Sequence, residues 1–139
     1  MRLRSSFRYS IYAAFAALFL TGACWLVADW QKNISSDDIW QQAAAYLLMA
    51  HGGTAMVTLL LLGALIPVHM LRSWRSGNNL VTGSMMIRLN TLLVVTAFGL
   101  YYLGSEIVRP WMSWIHVVAG FCVPVLFTLH VFLGRQRPG

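Results

Sequence analysis

The stretch MAHGGTAMVTLLLLGALIPVHML, from Met49 to Leu71, sets one histidine near each end of a run otherwise almost free of polar groups. A run this long and apolar predicts a helix that crosses a bilayer, because a hydrocarbon core about 30 Å thick takes roughly 20 apolar residues at 1.5 Å each. A second stretch, WIHVVAGFCVPVLFTLHVF from Trp114 to Phe132, repeats the pattern and again carries two histidines.

Outward from these two stretches, two more apolar runs complete a set of four: Ile11–Ala28, Ala43–Leu71, Leu89–Leu103 and Trp111–Leu133. Across its 139 residues the chain is 58% hydrophobic and only 10% charged, whereas soluble domains carry about 25% charged residues. The expected fold class is all-α, a four-transmembrane-helix bundle forming a single integral-membrane domain over residues 1–139. Four spans and their short connections use the length, so no separate soluble domain is expected.

The net charge of +6 invites a nucleic-acid reading, but its distribution argues against one. Arg2, Arg4 and Arg8 precede the first span, Arg72, Arg75 and Arg88 lie between the second and third, and Arg135 and Arg137 follow the fourth. In a four-span chain all of these fall on one side. The acids Asp29, Asp37, Asp38 and Glu106 fall on the other, with Lys32 and Arg109. The positive-inside rule then predicts cytoplasmic N- and C-termini, in a bacterial inner (cytoplasmic) membrane. A basic inner face also suits anionic lipid headgroups, so membrane lipid is an expected partner and nucleic acid is not.

MRLRSSFR followed by IYAAFAALFLTGAC resembles a signal peptide, with TGAC hinting at a lipoprotein cleavage site. The position three before Cys24 is Thr21, a poor fit, and the apolar run continues through WLVA. A retained transmembrane helix is therefore expected. Cys24 and Cys122 sit within apolar spans, where thiols behave as small hydrophobes. Neither belongs to a CxxC or CxxCH pattern, which excludes c-type haem attachment and cysteine-based zinc sites.

Ser35, Ser36, Asp37 and Asp38 offer N-caps for the second helix, and Trp30 and Trp40 suit an interfacial belt. Gly77, Asn78, Asn79 and Gly83 read as breakers before the third helix. Pro110 suits the start of the fourth.

All four histidines lie in the second and fourth spans. His51 and His69 are 18 positions apart, which at about 100° per residue closes five turns, so they share a helix face. His116 and His130 are 14 apart, a residual of about −40°, and share a face as well. The second and fourth spans run in the same direction, which puts His51 and His116 toward the periplasm and His69 and His130 toward the cytoplasm. The axial intervals are about 27 Å and 21 Å, a mismatch of one turn that tilt or a distortion at Pro67 absorbs. The pattern predicts two facing imidazole pairs, one per leaflet.

Bis-imidazole ligation of haem iron needs two neutral ring nitrogens on opposite faces of a flat macrocycle, and parallel helices with facing histidines supply that geometry. The face of the second span reads His51, Ala55, Thr58, Leu62, His69, and that of the fourth His116, Gly120, Val123, Phe127, His130. Ala55 and Gly120 each follow a histidine by four residues, where a bulky side chain would meet the ring. Phe127 and Leu62 fall between the two depths. The expected cofactors are two b-type haems, with His51, His116, His69 and His130 as iron ligands.

Other chemistries fit less well. A single intramembrane histidine often only hydrogen-bonds to a neighbouring helix, but four in register on two helices ask for more. Zinc or copper wants ligands converging on one point, often with carboxylate or thiolate help. No acid lies within a span, which also argues against a proton-coupled exporter. A haem-free membrane anchor or assembly subunit and a small metal transporter stand as alternatives.

Two helices that each carry two histidines at near-integral-turn spacing, with glycines beside them, resemble the di-haem membrane cytochromes b. That group includes the four-helix cytochrome b-561-like proteins and the cytochrome b subunits of periplasmic oxidoreductases. The likeness covers about Ala43–Leu133, and the 18-residue interval of His51 and His69 departs from the commonest pattern. The resemblance implies transmembrane electron transfer between a quinone pool and a protein partner, a periplasmic cytochrome or oxidoreductase, with this chain as an electron-transfer subunit. Haem propionates would call for cations at the interfaces: Arg109 and Lys32 on the periplasmic side, Arg72, Arg75, Arg88 or Arg135 on the cytoplasmic side. Tyr101 and Tyr102 outside, and Asn78, Asn79 and Asn90 inside, are candidates for bordering a quinol pocket.

Overall fold

A computed structural model describes residues 5–35, 37–67 and 80–136. It is all-α among the described residues, with four helices: α1 (Ser5–Ile34), α2 (Asp38–Leu65), α3 (Leu80–Tyr102) and α4 (Val108–Gln136). Each is long and apolar enough to cross a membrane, the build of a multi-pass membrane protein. At 1.5 Å per residue α1 is about 45 Å long, so a hydrocarbon core of about 30 Å leaves its ends projecting or the helix tilted.

The helices pack as two hairpins, α1 with α2 and α3 with α4, in two units that divide between Ile66 and Pro67. In the first unit, Ala28 near the end of α1 and Ala44 in the second turn of α2 are almost fully buried. Small residues there let two backbones approach closely, the usual basis of helix association where lipid removes any hydrophobic drive. In the second, a methyl group added at Gly99 would lie 3.4 Å from Met112 and Leu103, so α3 meets α4 closely beside their connection. Large apolar side chains face outward instead: Leu60, Met49 and Phe98 are each more than 60% exposed, as suits contact with lipid.

Hydroxyl side chains survive inside these helices because each finds a carbonyl one turn back. Thr21 donates to Ala17 O, Thr54 to Ala50 O, Thr58 to Thr54 O, Thr96 to Leu92 O and Thr128 to Pro124 O, all within 2.7–2.9 Å. Such back-bonding satisfies the hydroxyl without water.

Several element bounds differ from those read off the apolar runs. The third helix starts nine residues before Leu89, at Leu80, and Gly83 lies in its first turn rather than in a loop. Ser84 donates to Val81 O there, and a helix's first turn tolerates glycine because a tertiary contact, not propensity, decides it. Asp37 stands at the N-cap of α2, but its carboxylate makes no cap bond and accepts from the Ser35 hydroxyl at 3.1 Å. Ser36 lies outside the described residues. The second span is helical to Leu65 and turns to a wider π-type winding at Ile66 and Pro67. His69, Arg72, Arg75, Gly77, Asn78 and Asn79 lie outside the described residues, as does the side chain of Arg135.

Pro124 sits inside α4, between His116 and His130. Proline has no N–H, so the Gly120 carbonyl one turn earlier loses its helical donor. Transmembrane helices accept this local break where neighbouring groups compensate.

Candidate functional site

Three of the four histidines are described, and each is half-buried with one ring edge turned to a threonine of the neighbouring helix in its own hairpin. On α2, His51 Nδ1 lies 3.1 Å from the Leu18 carbonyl and 3.2 Å from the Thr21 hydroxyl, both on α1. On α4, His116 Nδ1 lies 2.9 Å from the Thr96 hydroxyl, and His130 Nδ1 lies 2.9 Å from the Thr82 hydroxyl, both on α3.

The two α3–α4 contacts share one register. From Thr82 to Thr96 and from His116 to His130 the chain advances by the same 14 positions, in opposite directions along antiparallel helices. The face that presents both histidines on α4 is thus the face that meets α3.

These contacts bear on proton positions. A carbonyl only accepts, so His51 Nδ1 donates to Leu18 O. In a neutral imidazole the lone pair is then on Nε2. Thr96 has one hydroxyl proton and lies 2.8 Å from Leu92 O and 3.1 Å from Leu93 O. With that proton on Leu92, its oxygen accepts from His116 Nδ1, and the lone pair again falls on Nε2. Histidines that bind metal almost always anchor the other ring nitrogen in this way.

A glycine makes room for one of the rings. A Cβ built at Gly22 on α1 would stand 2.9 Å from His51 Cε1 and 3.1 Å from its Nδ1, so any side chain there displaces the imidazole. At Gly83 the nearest atom to an added Cβ is His130 Cε1, at 3.8 Å. Gly120, one turn after His116, is different: an added Cβ meets nothing within 4 Å. The small residue there borders open space rather than a packed neighbour. Ala55 and Phe127 are half-buried, Thr58 and Val123 are buried, and the faces expected to carry the histidines are therefore the inward faces of their hairpins.

The donor chemistry of these residues is compatible with an iron porphyrin: imidazoles held at Nδ1, with the lone pair argued to Nε2 at His51 and His116, and open space beside Gly120. Among the described residues no group of three or more His, Cys, Asp or Glu side chains converges on one point.

The interfacial cations divide. Lys32 Nζ pairs with Asp29 at 2.6 Å, so its charge is already matched. Arg109, in the first turn of α4, is exposed to solvent or headgroups. Tyr101 and Tyr102 are exposed at the end of α3, and the Tyr102 ring stacks on Phe98 at 4.4 Å.

Reading the sequence for ligands passes over Thr21, Gly22, Thr82 and Thr96. One signal was present: Thr82 and Thr96 repeat the 14-residue interval of His116 and His130. Thr21 and Gly22 also belong to the TGAC tetrad that imitates a cleavage site, and in the folded hairpin they cradle His51.

No protein-family model matches the chain, and neither a curated protein nor a solved structure matches it.

Proposed function

We propose that this chain is a di-haem membrane cytochrome b that carries electrons across a bacterial inner membrane through two bis-histidine b-type haems. His51 and His116 would ligate one iron on the periplasmic side, and His69 and His130 the other on the cytoplasmic side. Both termini lie in the cytoplasm, in keeping with the one-sided distribution of arginine.

The observation that carries this reading is the common use of Nδ1. All three described histidines engage a neighbouring helix through that nitrogen, which directs ligation to Nε2. A histidine that only cements helices gains equally from either nitrogen. The haem supplies one-electron chemistry when bound. The chain supplies axial ligands of fixed tautomer, a low-dielectric shell, and Arg109 as a cation for a propionate at the outer interface. With haem bound, an electron would enter at one face from a quinol or protein donor and leave at the other to a quinone or a periplasmic cytochrome or oxidoreductase.

A second reading has an observation in its favour. The same threonine–histidine bonds are what a haem-free anchor subunit would use to hold its hairpins together. The visible spectrum of the purified protein separates the two. A Soret band with a sharpened α absorption on reduction, at two haems per chain by pyridine haemochrome, supports the cytochrome. A colourless protein leaves the anchor.

A further inference from the structure

We propose that Thr96 is a positioning residue for His116: its hydroxyl keeps Nδ1 protonated, leaves the ligating lone pair on Nε2, and sets the basicity of that nitrogen and with it the potential of the iron it binds. The inference rests on the haem reading above.

Thr96 is only 2% exposed, the largest of the fully buried side chains among the described residues. Its oxygen stands 2.8 Å from Leu92 O and 2.9 Å from His116 Nδ1. Two proton arrangements are open to this trio. In the first, Nδ1–H donates to Oγ1 and the hydroxyl donates to Leu92 O. In the second, the hydroxyl donates to Nδ1 and the ring proton moves to Nε2, where it blocks a metal. The 2.8 Å bond from Thr96 to Leu92 O uses the hydroxyl proton and leaves the oxygen to accept from Nδ1–H; the donors then all point one way, so each bond polarises the next. A ring that donates through Nδ1 is a more basic ligand at Nε2. A more basic ligand favours the ferric over the ferrous iron and holds the potential down.

Thr21 makes the instructive contrast. It approaches His51 Nδ1 at 3.2 Å, but the Leu18 carbonyl shares that nitrogen at 3.1 Å. No side-chain substitution removes the carbonyl, so loss of the Thr21 hydroxyl leaves Nδ1 with an acceptor.

The test compares Thr96→Val, Thr96→Ser and Thr21→Val with the wild-type holoprotein by redox titration in the visible, with haem stoichiometry. Valine keeps the shape and removes the acceptor. Thr96→Val is expected to shift the reduction equilibrium of one haem about tenfold toward ferrous, ~59 mV for one electron, or to weaken its retention about 10–100-fold. Thr96→Ser restores both, and Thr21→Val shifts its haem less. An unchanged potential and haem content in Thr96→Val overturns the proposal, as does a serine variant no better than valine, since that outcome marks packing alone. A wild-type protein without haem sinks the cytochrome reading instead and shows itself before any variant is made. Independently of haem and of the valine variant's folding, ¹⁵N shifts of the His116 ring in the haem-free protein should report Nδ1 protonated. A proton on Nε2 there also overturns the proposal.

Discussion

Thr96 on α3 and His116 on α4 stand 2.9 Å apart, and fourteen positions back along α3 and forward along α4 Thr82 and His130 stand at the same distance. One antiparallel register therefore seats two imidazoles at two depths, about 21 Å apart along α4. A hairpin with a single such contact could slide by a turn. With two, a slide breaks both at once.

The ligand assignment makes a non-additive prediction. His116→Ala should lose one haem and keep the other, and His51→Ala should lose the same one. The double variant should then lose no more than either single variant, because the proposed pairing assigns both ligands to one iron. Pyridine haemochrome against protein concentration measures this; a double variant stripped of both haems, or a single variant that keeps both, contradicts the pairing.

Gly22 offers a test of His51 from the other helix. A methyl group at this position collides with the imidazole at 2.9 Å, and the ring is held by α1 at both Leu18 and Thr21. Gly22→Ala should therefore turn His51 out of place and loosen its haem about 10–100-fold, the range found when a ligand's supporting contacts are lost. Haem retention during dialysis against apomyoglobin reads the effect. Gly53→Ala, where the added Cβ meets nothing within 4 Å, serves as the control and should behave as wild type.

The open space at Gly120 gives a prediction of the opposite kind. Because an added Cβ meets no protein atom within 4 Å there, Gly120→Leu should leave expression and helicity unchanged. If a porphyrin lies against that side of α4, the same variant loses the haem held by His116. Gly53→Leu, equally unobstructed but away from the histidine-bearing face, should keep both haems. Circular dichroism and haem content together decide it: a Gly120→Leu protein that folds with two haems places the macrocycle elsewhere.

Topology can be read by labelling from outside. In a background with Cys24→Ala and Cys122→Ala, Gly104→Cys in the exposed α3–α4 connection should react with a membrane-impermeant maleimide in intact cells. Ser5→Cys at the start of α1 should react only after the membrane is opened. The reverse pattern would invert the arginine-based orientation and move the His51 and His116 pair to the inner leaflet.

Much of the architecture is legible along the chain itself. Four apolar runs become four helices because, in lipid, a backbone must satisfy its own polar groups and a helix of about 20 residues is the shortest way across. The histidine faces follow from helix geometry alone: 14 positions bring His130 back to nearly the direction of His116 wherever the helix lies. The start of α3 was less legible, since Thr82, Gly83 and Ser84 look like a loop until His130 is placed beside them. Thr21 and Gly22 looked like part of a processing site for the same reason.

What only the tertiary structure decided is which hydroxyls matter. Thr58 and Thr128 carry the same chemistry as Thr21 and Thr96, and each bonds back to its own helix, while Thr54 lies 3.4 Å from the Thr21 hydroxyl rather than against an imidazole. The ones that reach a histidine are selected by the register in which two antiparallel helices pair, and that register depends on side-chain shape at close approaches such as Gly22 and Gly99. Periodicity is a property of one helix and can be counted in its letters; a cross-helix hydrogen bond is a property of two surfaces in contact and exists only once they have packed.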